Sequence, residues 1–176
     1  MKKSIWHLCS LLLFMPLLLA GCSDRNSEPL PYEAVNTLDG IWIEVKEETV
    51  TPTGLEIVFH NMTDRDDYFY GAWYALEVYS KGQWLTVNPL PNVEWVQDDW
   101  ARRVYTQEEL EQERFRNGLT EWSNYLPNEM GYDWEWYYGA LPRGEYRIVT
   151  YILSDFDKPI QENSPRYYLA ANFSIE

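Results

Sequence analysis

The chain has 176 residues, of which 45% are hydrophobic and 16% aromatic, with 14 basic and 28 acidic side chains. That length allows one domain with a targeting segment, and the hydrophobic fraction is too high for a disordered chain. The net charge of −14 argues against a nucleic-acid partner, because proteins that bind phosphate backbones need a basic surface.

The first 22 residues are typical of a targeting segment. Lys2 and Lys3 precede an apolar run from Ile5 to Leu19, which at about 15 residues is shorter than the ~20 needed to cross a bilayer. The run ends in LLLAGC, which resembles the lipobox of bacterial lipoproteins. This resemblance implies that Cys22 receives a diacylglycerol and becomes the first residue of the mature chain. The alternative is an ordinary cleaved signal or a short membrane anchor.

A tether is predicted between this anchor and the folded domain. Residues 22–37 are mostly polar, contain Pro29 and Pro31, and show neither a helical nor a strand period. Fully extended, such a segment reaches roughly 50 Å. Removal of residues 1–21 takes away two Lys and no acid, which lowers the formal net charge from −14 to −16. We therefore expect a lipid-anchored domain outside the cytoplasm, repelled by the anionic membrane surface.

Few side chains of the mature chain could serve metal or redox chemistry. Cys9 leaves with residues 1–21 and Cys22 is acylated, so no thiol remains for a disulfide or a metal. His60 is the one remaining imidazole, and beside a polar loop we expect it to be solvated. The loop DRDD (64–67) could bind calcium, but it departs from the EF-hand pattern. We expect no cofactor, no metal and no catalytic residue.

From Gly40 onward, short segments with alternating apolar and polar residues are separated by turn residues, which predicts an all-β sandwich or barrel. The predicted strands are 41–46, 55–60, 70–79, 83–87, 144–153 and 167–176. Lys81–Gly82 is expected to form a hairpin turn between the third and fourth of these strands.

The segment 106–117 is predicted to be a helix. Thr106 and Glu109 have the spacing of a capping box, and Gly118 follows the last helical residue. Because the segment has few apolar residues, the helix is expected on the surface. We place it in an insertion at about 97–128.

Four strings together resemble a bacterial immunoglobulin-like domain family of lipoproteins and other surface proteins of Gram-positive bacteria: VTPTGLEIVFHN (50–61), YGAWYALEVYSKGQWLTV (70–87), WEWYYGALPRGEYRIV (134–149) and DFDKPIQENSPRYYLAANFSIE (155–176). The resemblance implies an immunoglobulin-like antiparallel β-sandwich of about seven strands over 38–176, with one short helix in an insertion longer than the family usually has. The Pro–Gly turn before Tyr146 independently predicts a tyrosine corner, in which the hydroxyl binds upstream backbone. Trp73 or Trp84 is expected to pack in the core.

Aromatic side chains are in excess, since eight Trp, 14 Tyr and five Phe remain after residues 1–21 are removed. Those in or beside the insertion are the ones that we expect to be exposed, and they are the candidates for ligand binding: Trp95, Trp100, Trp122, Tyr125 and Tyr132. Such rings could stack on sugars or form a protein-binding patch. Alternatively, the insertion folds its rings back over the edge of the sheet.

A second group alternates acids with Trp. On a strand, Asp133 and Glu135 share one face about 6.6 Å apart, within the range that glycoside hydrolysis requires. The simpler interpretation is that Trp134 and Trp136 point inward while the acids face water. The sequence thus favours a lipid-anchored extracytoplasmic binding or structural module, not an enzyme, with a surface protein or a cell-wall glycan as partner. A glycan-binding module is the second hypothesis and a glycosidase the third.

Overall fold

The computed structural model describes residues 32–94, 101–117, 128–154 and 165–176. Within these ranges, eight strands form two antiparallel sheets, which confirms the predicted all-β sandwich. The strands are β1 (Ile41–Val45), β2 (Gly54–Asn61), β3 (Tyr68–Ser80), β4 (Gln83–Thr86), β5 (Ala101–Arg103), β6 (Glu129–Asp133), β7 (Gly144–Ser154) and β8 (Arg166–Ile175). The helices are α1 (Gln107–Asn117) and α2 (Glu135–Tyr138), with a single 3₁₀ turn at Glu47–Thr49.

The strand order is that of an immunoglobulin-like sandwich. One sheet has the order β1-β2-β6, and the other has β4-β3-β7-β8. In immunoglobulin nomenclature these sheets correspond to A-B-E and C′-C-F-G. Strand β5 pairs with the first half of β3 and lies inside the predicted insertion, so the insertion adds a strand as well as a helix. No helix in the described ranges has both the length and the apolar composition that a membrane span needs.

The core forms where the inward faces of the two sheets meet. In β1, Ile41, Ile43 and Val45 are buried while the residues between them are exposed, as the alternation predicts. The buried Trp of this core is Trp134, directly after β6, whose Nε1 donates a hydrogen bond to the Pro52 carbonyl oxygen at 2.9 Å. Burying a large apolar side chain stabilises a fold by roughly 1.5–3 kcal/mol.

The expectation that Trp73 or Trp84 fills the core is wrong, because both side chains are partly exposed. The Trp73 ring packs against Tyr151, with 5.4 Å between ring centres, and the Trp84 ring lies 4.7 Å from the Arg147 guanidinium. The core position passes to Trp134 because β6 ends just before it and the chain then turns inward over the open end of the sandwich.

Two predicted turns are confirmed at atomic detail. The Tyr146 hydroxyl donates a hydrogen bond to the Pro142 carbonyl oxygen at 2.8 Å, which is the bond of a tyrosine corner. Lys81 and Gly82 both have positive φ, 52° and 84°, as a type I′ hairpin requires. These turns fix the ends of β7 and of the β3–β4 hairpin.

Helix α1 begins at the predicted capping box. The backbone N–H of Thr106 donates to Glu109 Oε2 at 2.9 Å, and the backbone N–H of Glu109 donates to Thr106 Oγ1 at 3.3 Å. Burial alone acts to raise the pKa of Glu109, but the bond from the Thr106 backbone and the Arg103 guanidinium outweigh it and lower that pKa below its ordinary value. The helix therefore starts from a fixed position on the sandwich.

The insertion is attached to the sandwich where it leaves and rejoins it. The side chain of Asn128 accepts a hydrogen bond from the Tyr105 backbone N–H at 2.7 Å and donates one to the Tyr105 carbonyl oxygen at 2.8 Å. The Asn128 carbonyl oxygen in turn accepts a bond from the backbone N–H of Phe59 in β2. Asn128 is buried, so this clamp is shielded from water.

The last residues of the predicted tether, 22–37, contact strand β8. The Asn36 side chain accepts a hydrogen bond from the Ala170 backbone N–H at 2.9 Å and donates one to the Ala170 carbonyl oxygen at 3.0 Å. The Tyr32 ring packs on Tyr168 with 4.7 Å between ring centres. Residues 32–37 thus belong to the folded domain and cover part of the free edge of β8, which guards against unwanted strand pairing.

Candidate functional site

A short helical turn exposes Trp136 on the surface. Trp134 is fully buried, with its backbone N–H bonded to the Thr53 carbonyl oxygen at 2.8 Å, and α2 begins immediately after it. Tyr138, four residues further on, faces the domain beside Tyr74, with ring centres 6.1 Å apart. Since successive helical residues differ by about 100°, Trp136 points about 200° away from Trp134. Its side chain is 82% exposed.

Trp136 forms one wall of an open groove of about 560 Å³. The described residues that line this groove come from the segment after β4, from the end of β6 and from α2: Leu90, Pro91, Val93, Asp133, Glu135 and Trp136. We call it the Trp136 groove. The Leu90 backbone N–H donates to the Tyr137 carbonyl oxygen at 2.9 Å, which holds the two walls together. At the end of α2, Gly139 has a φ of 71°, which favours glycine.

The polar side chains of the Trp136 groove are both acids. Asp133 Oδ1 accepts a hydrogen bond from the backbone N–H of Glu135 at 3.0 Å and thereby fixes the start of α2. Both acids are exposed, as predicted. The prediction that they share a strand face, with both Trp pointing inward, is wrong for Trp136, because β6 ends at Asp133 and the chain becomes helical. The groove therefore presents the exposed indole ring of Trp136 and two carboxylates.

The structure describes one of the five aromatic residues that were predicted to be candidates for ligand binding, Tyr132. Trp95, Trp100, Trp122 and Tyr125 lie outside the described residues. Tyr132 does not belong to an exposed surface, because it is 5% exposed and packs in the core against Tyr74 at 4.8 Å between ring centres. Its place at the inward register of β6, opposite Leu55, buries it, and burial raises its pKa above the ordinary value.

A second depression beside the β3–β4 hairpin, about 500 Å³, is a weaker candidate. Its rings, Tyr79 and Trp84, lie 5.1 Å apart, and Trp84 already stacks under Arg147. Most other lining residues belong to β7 and β8. In this second depression, the Trp84 ring is already in contact with Arg147 of the same domain. The Trp136 ring, in contrast, is exposed to solvent.

The other polar residues singled out in the sequence have structural partners. His60 is half-buried rather than solvated, because its ring stacks on Trp42 at 4.7 Å and its Nε2 lies 3.0 Å from Glu44 Oε2. In the loop 64–67, Asp67 accepts a hydrogen bond from Arg65 at 2.8 Å. Among the described residues, no group of three or more His, Cys, Asp or Glu is placed to hold a metal ion.

Sequence reasoning missed a buried ion pair on the outer face of the β4-β3-β7-β8 sheet. Glu77 alternates along β3 with the core residue Leu76, yet it is fully buried. Its Oε2 binds the Arg147 guanidinium directly across the β3–β7 ladder, and its Oε1 has no hydrogen-bond partner among the described residues. Burial, and next the Glu77 carboxylate, raise the pKa of Tyr32, which covers this pair. The pair depends on residues far apart in sequence, so no local pattern signals it.

Comparison of the chain with protein-family models, with curated proteins and with solved structures finds no match.

Proposed function

We propose that this protein is a lipid-anchored, extracytoplasmic immunoglobulin-like binding module whose ligand occupies the Trp136 groove. The observation that carries the proposal is the 82% exposure of Trp136 in a groove that is also lined by two carboxylates, those of Asp133 and Glu135. A Trp ring that stays exposed to water does not gain the free energy that burial of its apolar surface would provide. Trp is also among the side chains that most often dominate the free energy of binding at interfaces. The same position on the surface would be better filled by a polar residue if it had no ligand.

The anchor is supported by the leader sequence. Lys2 and Lys3, the apolar run and the LLLAGC string favour diacylglycerol attachment at Cys22. Because Tyr32 and Asn36 contact β8, the tether in this proposal is shortened to residues 22–31, a length of chain that spans at most roughly 35 Å. The domain would therefore be held nearer to the membrane than a tether ending at residue 37 would allow.

The anchor is tested by expressing the full chain as Cys22→Ala beside the wild type. We expect the wild type in the membrane fraction with a diacylglyceryl group on its N-terminal peptide by mass spectrometry, and the variant unmodified and released. Membrane retention that is unchanged in Cys22→Ala would argue for a different anchor.

The groove is tested by retention of the released Cys22→Ala protein, which has no acyl chains to hold it, on isolated cell envelopes; the Trp variants are made in this background. Trp136→Ala should reduce retention strongly, because hot-spot Trp residues typically contribute more than 2 kcal/mol, or about 30-fold in affinity. Trp42→Ala is the matched control, since Trp42 is 39% exposed on β1, outside the described lining of the Trp136 groove, and stacks on His60. Equal loss of retention in both variants would indicate a general effect of aromatic surface rather than a site.

Two other functions rank lower. A surface protein could occupy the groove, since exposed aromatic residues serve protein interfaces as well. A glycosidase would need Asp133 and Glu135 to work as a pair, but the Asp133 carboxylate is engaged at the start of α2 through the backbone N–H of Glu135. Hydrolysis of a glycoside panel that disappears in Asp133→Asn would favour the enzyme over the binding module.

A further inference from the structure

The hydrogen-bonding character of the Trp136 groove restricts its ligand. Its charged side chains, Asp133 and Glu135, are carboxylates, and none of the described lining residues is basic. Ionised carboxylates only accept hydrogen bonds, so the complementary ligand is rich in donors. Leu90, Pro91 and Val93 make the remaining described lining apolar. The occupant should therefore combine N–H or O–H donors with an apolar face.

We propose, on the basis of the binding function above, that the Trp136 groove binds a glycan with free amino groups. One face of a pyranose ring carries C–H groups and packs on the flat indole of Trp136. The ring substituents donate to Asp133 and Glu135. An ammonium group adds a charge-assisted bond to a carboxylate and is attracted to the indole face, which favours cations.

The charge of the chain selects among glycans. With a formal net charge of −14, or −16 after removal of residues 1–21, the protein attracts cationic polymers and repels phosphate-bearing or sulfate-bearing ones. Asp133 and Glu135 place two of these charges directly beside the exposed ring. An anionic glycan would have to desolvate its charge next to carboxylates, which is unfavourable. A glycan with protonated amino groups is attracted to these carboxylates instead.

A polypeptide fits the groove less well. Extended peptides gain much of their affinity from main-chain hydrogen bonds to an unpaired strand edge, with pockets for alternate side chains. Along the groove, the Leu90 backbone N–H is already bonded to the Tyr137 carbonyl oxygen. The groove is shallow and open, and Trp136 stands out from it as a flat platform. Stacking of a ring suits that shape better than insertion of a side chain.

The test compares glucosamine oligosaccharides with N-acetylated oligosaccharides of the same length, in which each ammonium group is replaced by an uncharged acetamide. The mature lipidated chain, held in detergent micelles, is titrated with each at mildly acidic pH, where the free amines are protonated. We expect about tenfold tighter binding of the amino form at low salt, since one charge-assisted contact is worth roughly that factor. Added salt should reduce this difference in affinity between the two oligosaccharides, because it screens the attraction between ammonium and carboxylate.

Variants distinguish the contribution of the Trp136 ring to binding from that of the Asp133 and Glu135 charges. Trp136→Ala should abolish binding of both oligosaccharides, and Trp42→Ala should leave it unchanged. The double variant Asp133→Asn, Glu135→Gln keeps the oxygen acceptor that fixes α2 but removes both charges, so it should bind the two oligosaccharides equally. Thermal unfolding of each variant checks that the fold is retained; Trp136 and both acids are exposed, so little change is expected.

Three results would overturn the inference: equal affinity of the wild type for both oligosaccharides, full binding by Trp136→Ala, or binding of a lysine-rich peptide but of neither oligosaccharide. If the oligosaccharides fail while retention on cell envelopes still depends on Trp136, the ligand class is wrong and the proposed binding function stands. If retention on envelopes is also independent of Trp136, both are wrong.

Discussion

Replacing Arg147 with methionine removes the cation that faces the fully buried Glu77 carboxylate. Strands β3 and β7 hold these two residues directly opposite each other, and the Arg147 side chain is 17% exposed, so water screens the pair little. Removing one partner of a buried ion pair costs about 3–5 kcal/mol, because the other charge stays buried without compensation. Methionine keeps an unbranched apolar stem on the Trp84 ring, so most of the packing survives. We expect the variant to lose about 3–5 kcal/mol of stability.

A second variant isolates the charge from the packing. In Glu77→Leu, Arg147→Met both charges are replaced by apolar side chains, a change that is often neutral or stabilising for buried pairs. Guanidinium unfolding of the mature chain, followed by Trp fluorescence, measures the free energy of unfolding of each. The double variant should lie within about 1 kcal/mol of the wild type. If Arg147→Met loses less than about 1 kcal/mol, or if the double variant is as unstable as Arg147→Met, the claim that Glu77 and Arg147 form a buried ion pair is refuted.

Four further predictions follow from the clamps and the core. Tyr146→Phe should cost about 1 kcal/mol by losing the bond to Pro142, and an unchanged melting temperature would count against the tyrosine corner. Asn128→Ala should cost about 2–4 kcal/mol in chemical unfolding, because it leaves both backbone groups of Tyr105 unpaired; a loss below about 1 kcal/mol would mean that water replaces the clamp. Thr106→Ala should cost about 1 kcal/mol and reduce helical circular dichroism, whereas no change in either would show that the capping box is not needed. Burial raises the pKa of Tyr74 and Tyr132, so their contribution to stability is complete below about pH 10 and is lost as the pH rises through their higher folded-state pKa values. Ultraviolet titration should show that these two tyrosines ionise together with unfolding. Ionisation at the ordinary tyrosine pKa in the folded protein would contradict their burial.

The sequence predicted the elements whose residues carry their own pattern. Alternation in 41–45 and 54–61 specifies which face is buried, since a strand with one wet face must alternate. The capping box and the Lys81–Gly82 turn depend on neighbours within three residues, so they could be predicted as well. Local physical chemistry is sufficient for such features.

The candidate site could not be predicted in the same way. Asp133 to Trp136 alternates acids with Trp and therefore suggested a strand, but β6 has to end where Trp134 turns into the core and bonds Pro52. That bond joins residues 82 positions apart, and the next residues form a helical turn. The exposed ring is thus Trp136 rather than Tyr132, because tertiary contacts override the period of a four-residue segment.

Strand β5 and the ion pair escaped prediction for the same reason. β5 has three residues, too few for an alternation to show, and it forms by pairing with β3. Glu77 looks like a solvated residue on the outer side of a strand, and its burial depends on Arg147 and on Tyr32 from the segment before β1.

The most direct test of the proposed binding function is photo-crosslinking of the anchored protein in living cells. A photoreactive phenylalanine analogue replaces Leu90, an exposed residue that lines the groove, in one variant and Trp42 in a control, so that Trp136 is kept in both. Both proteins are irradiated at the cell surface, and we predict covalent adducts to an envelope component from position 90 and none from position 42. Adducts from position 42 alone, or none from either position while both proteins remain membrane-bound, would contradict a ligand in the Trp136 groove.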